Sequence, residues 1–164
     1  NKKSKSSLAP LKMLIKKFSK LTSVFLISMF FSGTVFADFI SVKTKKALLY
    51  EGPSASTKKL YIVTEGYPLQ IMVNLKDWKK VKDHTGNISW IQSNFADKNR
   101  TVMTIKSNVN LYHKASLQSS KLGRISKFVI LNLNSTLVTD GWVNVQSQLE
   151  GLSGFVRLDK VWGL

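Results

Sequence analysis

The sequence predicts an all-β protein in which two small tandem β-barrels follow an N-terminal signal peptide. An apolar segment near the start, an internal repeat and alternating apolar residues support this prediction. The chain has 164 residues, a formal net charge of +16 and no cysteine. The absent thiol excludes disulfides, thiolate zinc sites, iron–sulfur clusters and cysteine nucleophiles. Two histidines are also too few for a three-histidine zinc site.

The segment 1–37 has the pattern of a signal peptide. Basic residues precede an apolar run of 11 residues at 21–31, and small residues follow the run. Val35 and Ala37 occupy the −3 and −1 positions that a signal peptidase recognises. The run is shorter than the roughly 20 residues that a membrane-spanning helix needs, so a retained anchor is the less favoured alternative.

Export of the chain follows from this segment. We expect Met13 to be the true start and cleavage to occur after Ala37. The mature product, 38–164, is then expected in the periplasm or outside the cell. After cleavage it is not expected to be an integral membrane protein.

The mature part of the chain repeats itself. Dipeptides and single aromatic residues recur 62 to 65 positions apart, and such small changes of offset are what loop insertions between strands produce. The matching pairs are Leu49-Tyr50 with Leu111-Tyr112, Lys59-Leu60 with Lys121-Leu122, Trp78 with Trp142, and Trp90 with Phe155.

Each repeat predicts strands separated by turns. Apolar residues alternate with polar ones in 69–73 and 78–82, and with interruptions in 129–133 and 142–145. Glycine-containing turns separate these stretches. Closure of a small sheet into a barrel would remove exposed edges. Because a unit of this size is marginally stable alone, we expect the two units to share an interface.

The first repeat contains a series of short motifs. From Leu49 to Ile91 the patterns Leu-Tyr-x-Gly-Pro-Ser, Lys-Leu-x-x-Val, Trp-x-x-Val and Gly-x-x-x-Trp-Ile follow one another. In type and order these motifs resemble those of the bacterial SH3-like domain family. Each repeat departs from the family pattern at one of these positions. In the first repeat Ser89 stands where a glycine is usual before the second tryptophan, and in the second repeat Phe155 replaces that tryptophan.

The resemblance covers 42–96 and 105–164, nearly the whole mature chain. It implies an exported tandem protein of Gram-negative bacteria with two SH3-like barrels, which we place at 38–98 and 99–164.

The residues favour binding over catalysis. The sequence contains no phosphate-binding loop, no His-Glu-x-x-His and no Gly-x-Ser-x-Gly. Nothing in the spacing of Glu51, Glu65 and Glu150 brings two carboxylates together for glycoside cleavage. We therefore expect a protein that is not an enzyme and needs no metal and no cofactor, with a hydrolase as the minor alternative.

Aromatic and basic side chains are the remaining candidates. Aromatic residues at equivalent positions are expected to fill the two cores, because a core must be built twice and a binding site need not be. These core residues are Trp78, Trp90, Trp142 and Phe155. The resemblance implies that aromatic residues beside loops form a ligand groove, and the first repeat also carries a lysine cluster. The predicted ligand-binding residues are Tyr50, Tyr61, Tyr67, Lys79 and Lys80.

The predicted function is a non-enzymatic exported module that recognises cell-wall (peptidoglycan) peptide or glycan, or other envelope components. The positive charge favours attraction to an anionic envelope surface over nucleic acid, which an exported protein rarely meets. A solvated surface without a specific partner explains the charge equally well. The alternative function is a scaffold or accessory protein that binds another envelope protein, such as a wall hydrolase, without wall affinity of its own.

Overall fold

The computed structural model describes residues 37–147 and 151–164. The predicted signal peptide, with Val35 of its cleavage site, lies outside the described residues, and only Ala37 at its end is included. Residues Ala37–Leu164 form one compact unit. Within the described ranges no helix is long and apolar enough to cross a membrane.

The first sheet has seven antiparallel strands in the order β3-β2-β6-β5-β4-β1-β7. The strands are β1 (Phe39–Val42), β2 (Lys46–Tyr50), β3 (Lys59–Thr64), β4 (Pro68–Asn74), β5 (Trp78–Lys82), β6 (Ile88–Gln92) and β7 (Ala96–Asp97). A 3₁₀ helix, Ser93–Phe95, connects β6 to β7.

The second sheet also has seven antiparallel strands, in the order β10-β9-β13-β12-β11-β8-β14. The strands are β8 (Thr101–Thr104), β9 (Val109–Tyr112), β10 (Lys121–Ile125), β11 (Ile130–Leu133), β12 (Trp142–Ser147), β13 (Ser153–Arg157) and β14 (Val161–Trp162). A 3₁₀ helix, Leu158–Lys160, again precedes the last strand. Each strand of the second sheet therefore occupies the position that the strand with a number lower by seven occupies in the first sheet.

The all-β prediction is confirmed, and the sheets differ from the expected closed barrels in one respect. Among the described residues, β3 pairs only with β2 and β7 only with β1, so hydrogen bonds do not close the first sheet. The end strands of the second sheet, β10 and β14, are likewise unpaired with each other.

Both sheets contain an irregularity at the same place. The pairing of β2 with β3 shifts register between Leu49 and Tyr50, and the pairing of β9 with β10 shifts between Lys121 and Gly123. Such a bulge bends the strand that carries it and increases the local twist.

Two apolar cores lie on the inner faces of the sheets. Leu49, Leu69 and Ile91 are fully buried in the first sheet, and Leu131 and Val143 are nearly or fully buried in the second. The alternation of apolar and polar residues that predicted the strands also explains which side chains are buried, because successive side chains of a strand point to opposite faces of the sheet.

The two sheets contact each other, as expected for units too small to be stable alone. The Phe39 and Trp162 rings meet edge-on with centroids 5.3 Å apart. The buried Thr101 hydroxyl donates a 2.6 Å hydrogen bond to the carbonyl oxygen of Gly66. Apolar contact and buried hydrogen bonds therefore hold β1 and β4 of the first sheet against β8 and β14 of the second.

Gly163 allows the closest approach in this interface. Its φ is +128°, and a Cβ at this position would lie 2.5 Å from the Thr101 carbonyl oxygen and 3.1 Å from Pro68 Cβ. Its own carbonyl oxygen accepts a 2.9 Å hydrogen bond from Arg100. Only a residue without a side chain fits here.

A left-handed residue precedes the fourth strand of each sheet. Gly66 has φ +76° and donates a 2.7 Å backbone hydrogen bond to Val42. Phe128, 62 positions later, has φ +65° and donates an equivalent 2.7 Å bond to Thr104. The turn thus requires the same backbone conformation twice, and a phenylalanine adopts it at a steric cost that glycine does not incur.

Candidate ligand-binding grooves

An aromatic pair recurs with the same geometry in both sheets. Tyr50 ends β2, and its ring meets that of Trp78 at the start of β5, with centroids 5.3 Å apart and planes at 89°. Tyr112 and Trp142 repeat this contact at 5.2 Å and 83°. Both tyrosines are only 7% exposed. The pair fixes each tyrosine ring beside a surface depression.

The depression beside Tyr50, which we name the first groove, has a volume of about 320 Å³. Ile62 on β3 lines it, as do Gln92 at the end of β6 and Phe95 in the 3₁₀ helix. Lys46 is the cation among its lining residues. The first groove is therefore apolar at its margin, with one positive charge and one amide.

The depression beside Tyr112, the second groove, has a volume of about 390 Å³. Six of its lining positions are equivalent to lining positions of the first groove, at the offsets of 62 and 65 found in the sequence. The equivalent pairs are Lys46 with Asn108, Ala47 with Val109, Leu48 with Asn110, Tyr50 with Tyr112, Gln92 with Arg157, and Phe95 with Lys160.

Of the predicted binding residues, Tyr50 lines the first groove, and the other two tyrosines lie in a polar cluster. The Tyr61 hydroxyl donates a 2.8 Å hydrogen bond to Oδ2 of Asp83, and the Tyr67 hydroxyl forms a 2.7 Å hydrogen bond with Nδ1 of His84. Burial, and then the hydrogen bond with Asp83, raise the pKa of Tyr61 to about 12. Burial, followed by the charge of Asp83, raises the pKa of Tyr67.

Asp83 organises this cluster from the β5–β6 turn. Its Oδ1 accepts hydrogen bonds from the Thr85 amide at 2.8 Å, the Thr85 hydroxyl at 2.6 Å and the Asn87 amide at 3.0 Å. Burial acts to raise the pKa of this carboxyl, but hydrogen bonds from Thr85, Tyr61 and Asn87 outweigh burial and lower the pKa. The carboxylate thus holds the turn and orients Tyr61.

The two predicted lysines lie apart from the first groove. Lys79 lines another cavity of about 480 Å³ together with Asp38 and Arg100, and its Nζ donates a hydrogen bond to Oδ1 of Asn74. Lys80 is on the neighbouring position of β5 and lies 6.0 Å from the centre of the Trp90 ring. The structure does not bring the five predicted residues into a single site.

The aromatic residues expected in the cores differ in burial. Trp142 is 5% exposed, whereas Trp78, Trp90 and Phe155 are half-buried. Arg157 covers Trp142, with its guanidinium 5.4 Å from the ring centre.

Sequence reasoning missed most of the groove residues. Ile62 lines the first groove from an unspecified position of the Lys-Leu-x-x-Val pattern, and Gln92 and Phe95 line it from outside every motif. The repeat offsets were the available signal for the second groove. Once Gln92 and Phe95 are known to line the first groove with Tyr50, an offset of 65 identifies Arg157 and Lys160 as their counterparts beside Tyr112.

Comparison with known proteins gives a family match and several distant structural matches. Residues 43–95 match the family model described as a bacterial SH3 domain. The solved structures of NlpC2 and NlpC1 from Trichomonas vaginalis are 14% and 13% identical to this chain, each with a TM-score of 0.36. The matches cover 79% and 81% of this chain and 49% of each of those chains, so the chain spans about half their length. No curated relative matches.

Proposed function

We propose that the protein is a non-enzymatic binding module, and the match of residues 43–95 to the family model of the bacterial SH3 domain supports this proposal. It recognises cell-wall peptidoglycan or another envelope component through the first groove. The proposal includes export, with the module acting in the periplasm or outside the cell. The observation that carries the proposal is the fixed aromatic pair Tyr50–Trp78 beside an open groove with an apolar margin.

We also propose that the second sheet is a second SH3-like module, so that the protein is a tandem of two barrel-like units. The identical order of equivalent strands supports this proposal. The recurrence of the aromatic pair as Tyr112–Trp142, within 0.1 Å of the first distance, supports it independently.

The lining of the first groove suits an extended ligand with alternating apolar and polar groups. Ile62 is 57% exposed on the end strand β3, so its side chain offers apolar surface to a ligand. Gln92 supplies an amide that both donates and accepts hydrogen bonds. Such clefts use apolar contact for affinity and a few polar groups for orientation. Peptide and glycan strands of the wall have these features.

The surface charge supports an envelope location. Residues 38–164 contain 18 basic and nine acidic residues, a net charge of +9. Wall carboxylates and lipid phosphates are anionic, so this charge increases the rate of encounter with the envelope. Specific retention depends on the groove, because exposed charges are screened over about 8 Å at physiological ionic strength.

Co-sedimentation of the full chain with purified peptidoglycan sacculi at two salt concentrations tests the proposal. Ile62→Ser changes the exposed margin of the first groove, and Ile88→Ser is the matched control, since Ile88 is 52% exposed and outside both grooves. We expect retention at both salt concentrations, weakened severalfold by Ile62→Ser and unchanged by Ile88→Ser. Equal retention of the two variants would rule out the first groove as the wall-binding site.

Absence of retention at either salt concentration would favour the alternative function. The protein would then be a scaffold that binds another envelope protein, such as a wall hydrolase. Crosslinking in the intact envelope would identify that partner, and the Ile62→Ser variant would show whether the first groove also makes this contact.

A further inference from the structure

The second groove contains a group of cations that the first groove lacks. Arg157 and Lys160 occupy the positions that Gln92 and Phe95 occupy in the first groove, and Lys106 adds a third positive charge. Among the residues that the structure describes, none that lines the second groove is acidic. The two grooves therefore share their position and their aromatic pair but differ in charge.

The guanidinium of Arg157 is held in place from several sides. It stacks over Trp142 with its carbon 5.4 Å from the ring centre, and Nη1 donates a 3.3 Å hydrogen bond to the Asp140 carbonyl oxygen. The left-handed Gly141 lies directly beside it, because a Cβ there would be 3.2 Å from Nη1. A guanidinium fixed in this way loses little conformational entropy when it binds a planar anion.

Asp159 offsets part of this positive charge without cancelling it. Its carboxylate lies 2.6 Å from Nζ of Lys160 and 3.5 Å from Nε of Arg157. The hydrogen bond from Lys160 holds the pKa of Asp159 below its ordinary value, so the carboxylate is ionised at neutral pH. All three side chains are at least 41% exposed, and water weakens such pairs. The lining cations therefore remain available to an incoming anion.

An apolar side chain lies next to the cations. Leu117, in the loop between β9 and β10, lines the second groove and is 62% exposed. Tyr112, which is 7% exposed, lines the same groove. A phosphate ion alone would use the cations but would leave this apolar surface in water.

We propose that the second groove binds the carboxylate of a peptide, with Arg157 and Lys160 holding the carboxylate and Leu117 contacting the adjacent small apolar side chain. Arginine matches a carboxylate with two parallel hydrogen bonds, which gives orientation as well as affinity. This inference goes beyond the function proposed for the first groove and uses none of its residues.

NMR titration of the isotope-labelled full chain tests the proposal through the indole signal of Trp142, which Trp→Phe variants distinguish from the other three tryptophans. The probes are N-acetyl-alanyl-alanine, its C-terminal amide and inorganic phosphate. We expect the acid to shift the Trp142 signal and to bind roughly tenfold more tightly than the amide, because the amide removes the charge-assisted bonds. Phosphate should bind more weakly than the acid.

Three variants test whether binding of the acid depends on positive charge, and whether that charge must lie in the second groove. Arg157→Gln, which installs the residue of the first groove, should weaken binding of the acid roughly tenfold. Asp159→Asn removes the competing carboxylate and should strengthen it about two- to fivefold. Lys58→Gln removes one exposed lysine that lines neither groove, so binding of the acid should not change.

Specific results would overturn the proposal. These are equal binding of acid and amide, phosphate binding as tight as that of the acid, no gain from Asp159→Asn, or a loss in Lys58→Gln equal to that in Arg157→Gln. If Arg157→Gln fails to fold, the gain in Asp159→Asn decides. The function proposed for the first groove is tested separately, by the effect of Ile62→Ser on sacculus retention. A negative result for one groove is therefore distinguishable from a negative result for the other.

Discussion

The ring of Trp162 in β14 packs against the ring of Phe39 in β1, with the two planes at 78°. This single contact joins the first strand of one sheet to the last strand of the other. Lys82 reaches the same indole from a third element, with its Nζ 5.9 Å from the ring centre. The two cores are therefore linked by an aromatic contact that belongs to neither of them.

Removal of this ring should weaken the whole described unit. We expect Trp162→Ala to lower the free energy of unfolding by about 2 kcal/mol, because a half-buried aromatic ring and its partner lose their contact. Urea unfolding, followed by tryptophan fluorescence and by circular dichroism, measures the change. In the variant the two probes should cease to give coincident transitions, since the sheets no longer stabilise each other. Leu137→Ala, at a position 72% exposed, is the control and should change stability by less than about 0.5 kcal/mol.

Gly163→Ala should destabilise the interface by about 2 kcal/mol or more. The added Cβ would lie 2.5 Å from a backbone oxygen of Thr101, and φ of +128° is unfavourable for alanine. Gly123→Ala is the matched control, because nothing lies within 4 Å of its Cβ position. Thermal unfolding compares the two variants. Similar melting temperatures for both would show that the chain relaxes around Gly163 without cost.

The left-handed turn at Phe128 predicts an unusual order of variant stabilities. Phe128→Gly and Phe128→Ala both lose the ring contact with His84, whose centroid lies 5.3 Å away. Only glycine adopts φ of +65° without a steric penalty. We therefore expect the glycine variant to be more stable than the alanine variant by about 1 kcal/mol. Chemical denaturation measures this difference, and an alanine variant that is equally stable would contradict it.

The raised pKa of Tyr61 predicts a loss of stability in base. Because its pKa rises from 10.0 to about 12 in the folded chain, folding favours the neutral hydroxyl. The resulting stabilisation is complete below pH 10.0 and is lost as the pH rises through about 12. Tyr61→Phe removes this contribution, so the stability gap between wild type and variant should narrow over this range. Melting temperatures at stepwise pH values test this, and a constant gap would argue against ionisation at Tyr61.

Local patterns predicted the architecture where local chemistry determines it. The alternation in 78–82 correctly indicated a strand in which Val81 is buried, because side-chain direction in a strand depends only on position. The first-repeat motifs correctly indicated the bacterial SH3 family over 43–95.

Contacts between distant elements were outside the reach of those patterns. Tyr61 and Tyr67 are predicted ligand-binding residues because the resemblance implies a groove of aromatic residues beside loops. In the structure their hydroxyls instead form hydrogen bonds with Asp83 and His84 in the β5–β6 turn. No local signal specifies such a pairing, since it depends on how β3, β4 and the β5–β6 turn meet. The second groove was missed for a related reason, because Arg157 acquires its environment only when it stacks on Trp142.

The register shifts in β2–β3 and β9–β10 bear on behaviour in concentrated solution. An end strand exposes unpaired backbone groups to which a strand of another molecule adds. Here the end strands β3 and β10 are each bent by a bulge at the same place, and each begins with an exposed lysine, Lys59 or Lys121. Bent geometry disrupts the register of an incoming copy, and like charges repel it. Both sheets thus stay open at β3 and β10 and at the same time disfavour growth into continuous intermolecular sheets from these strands.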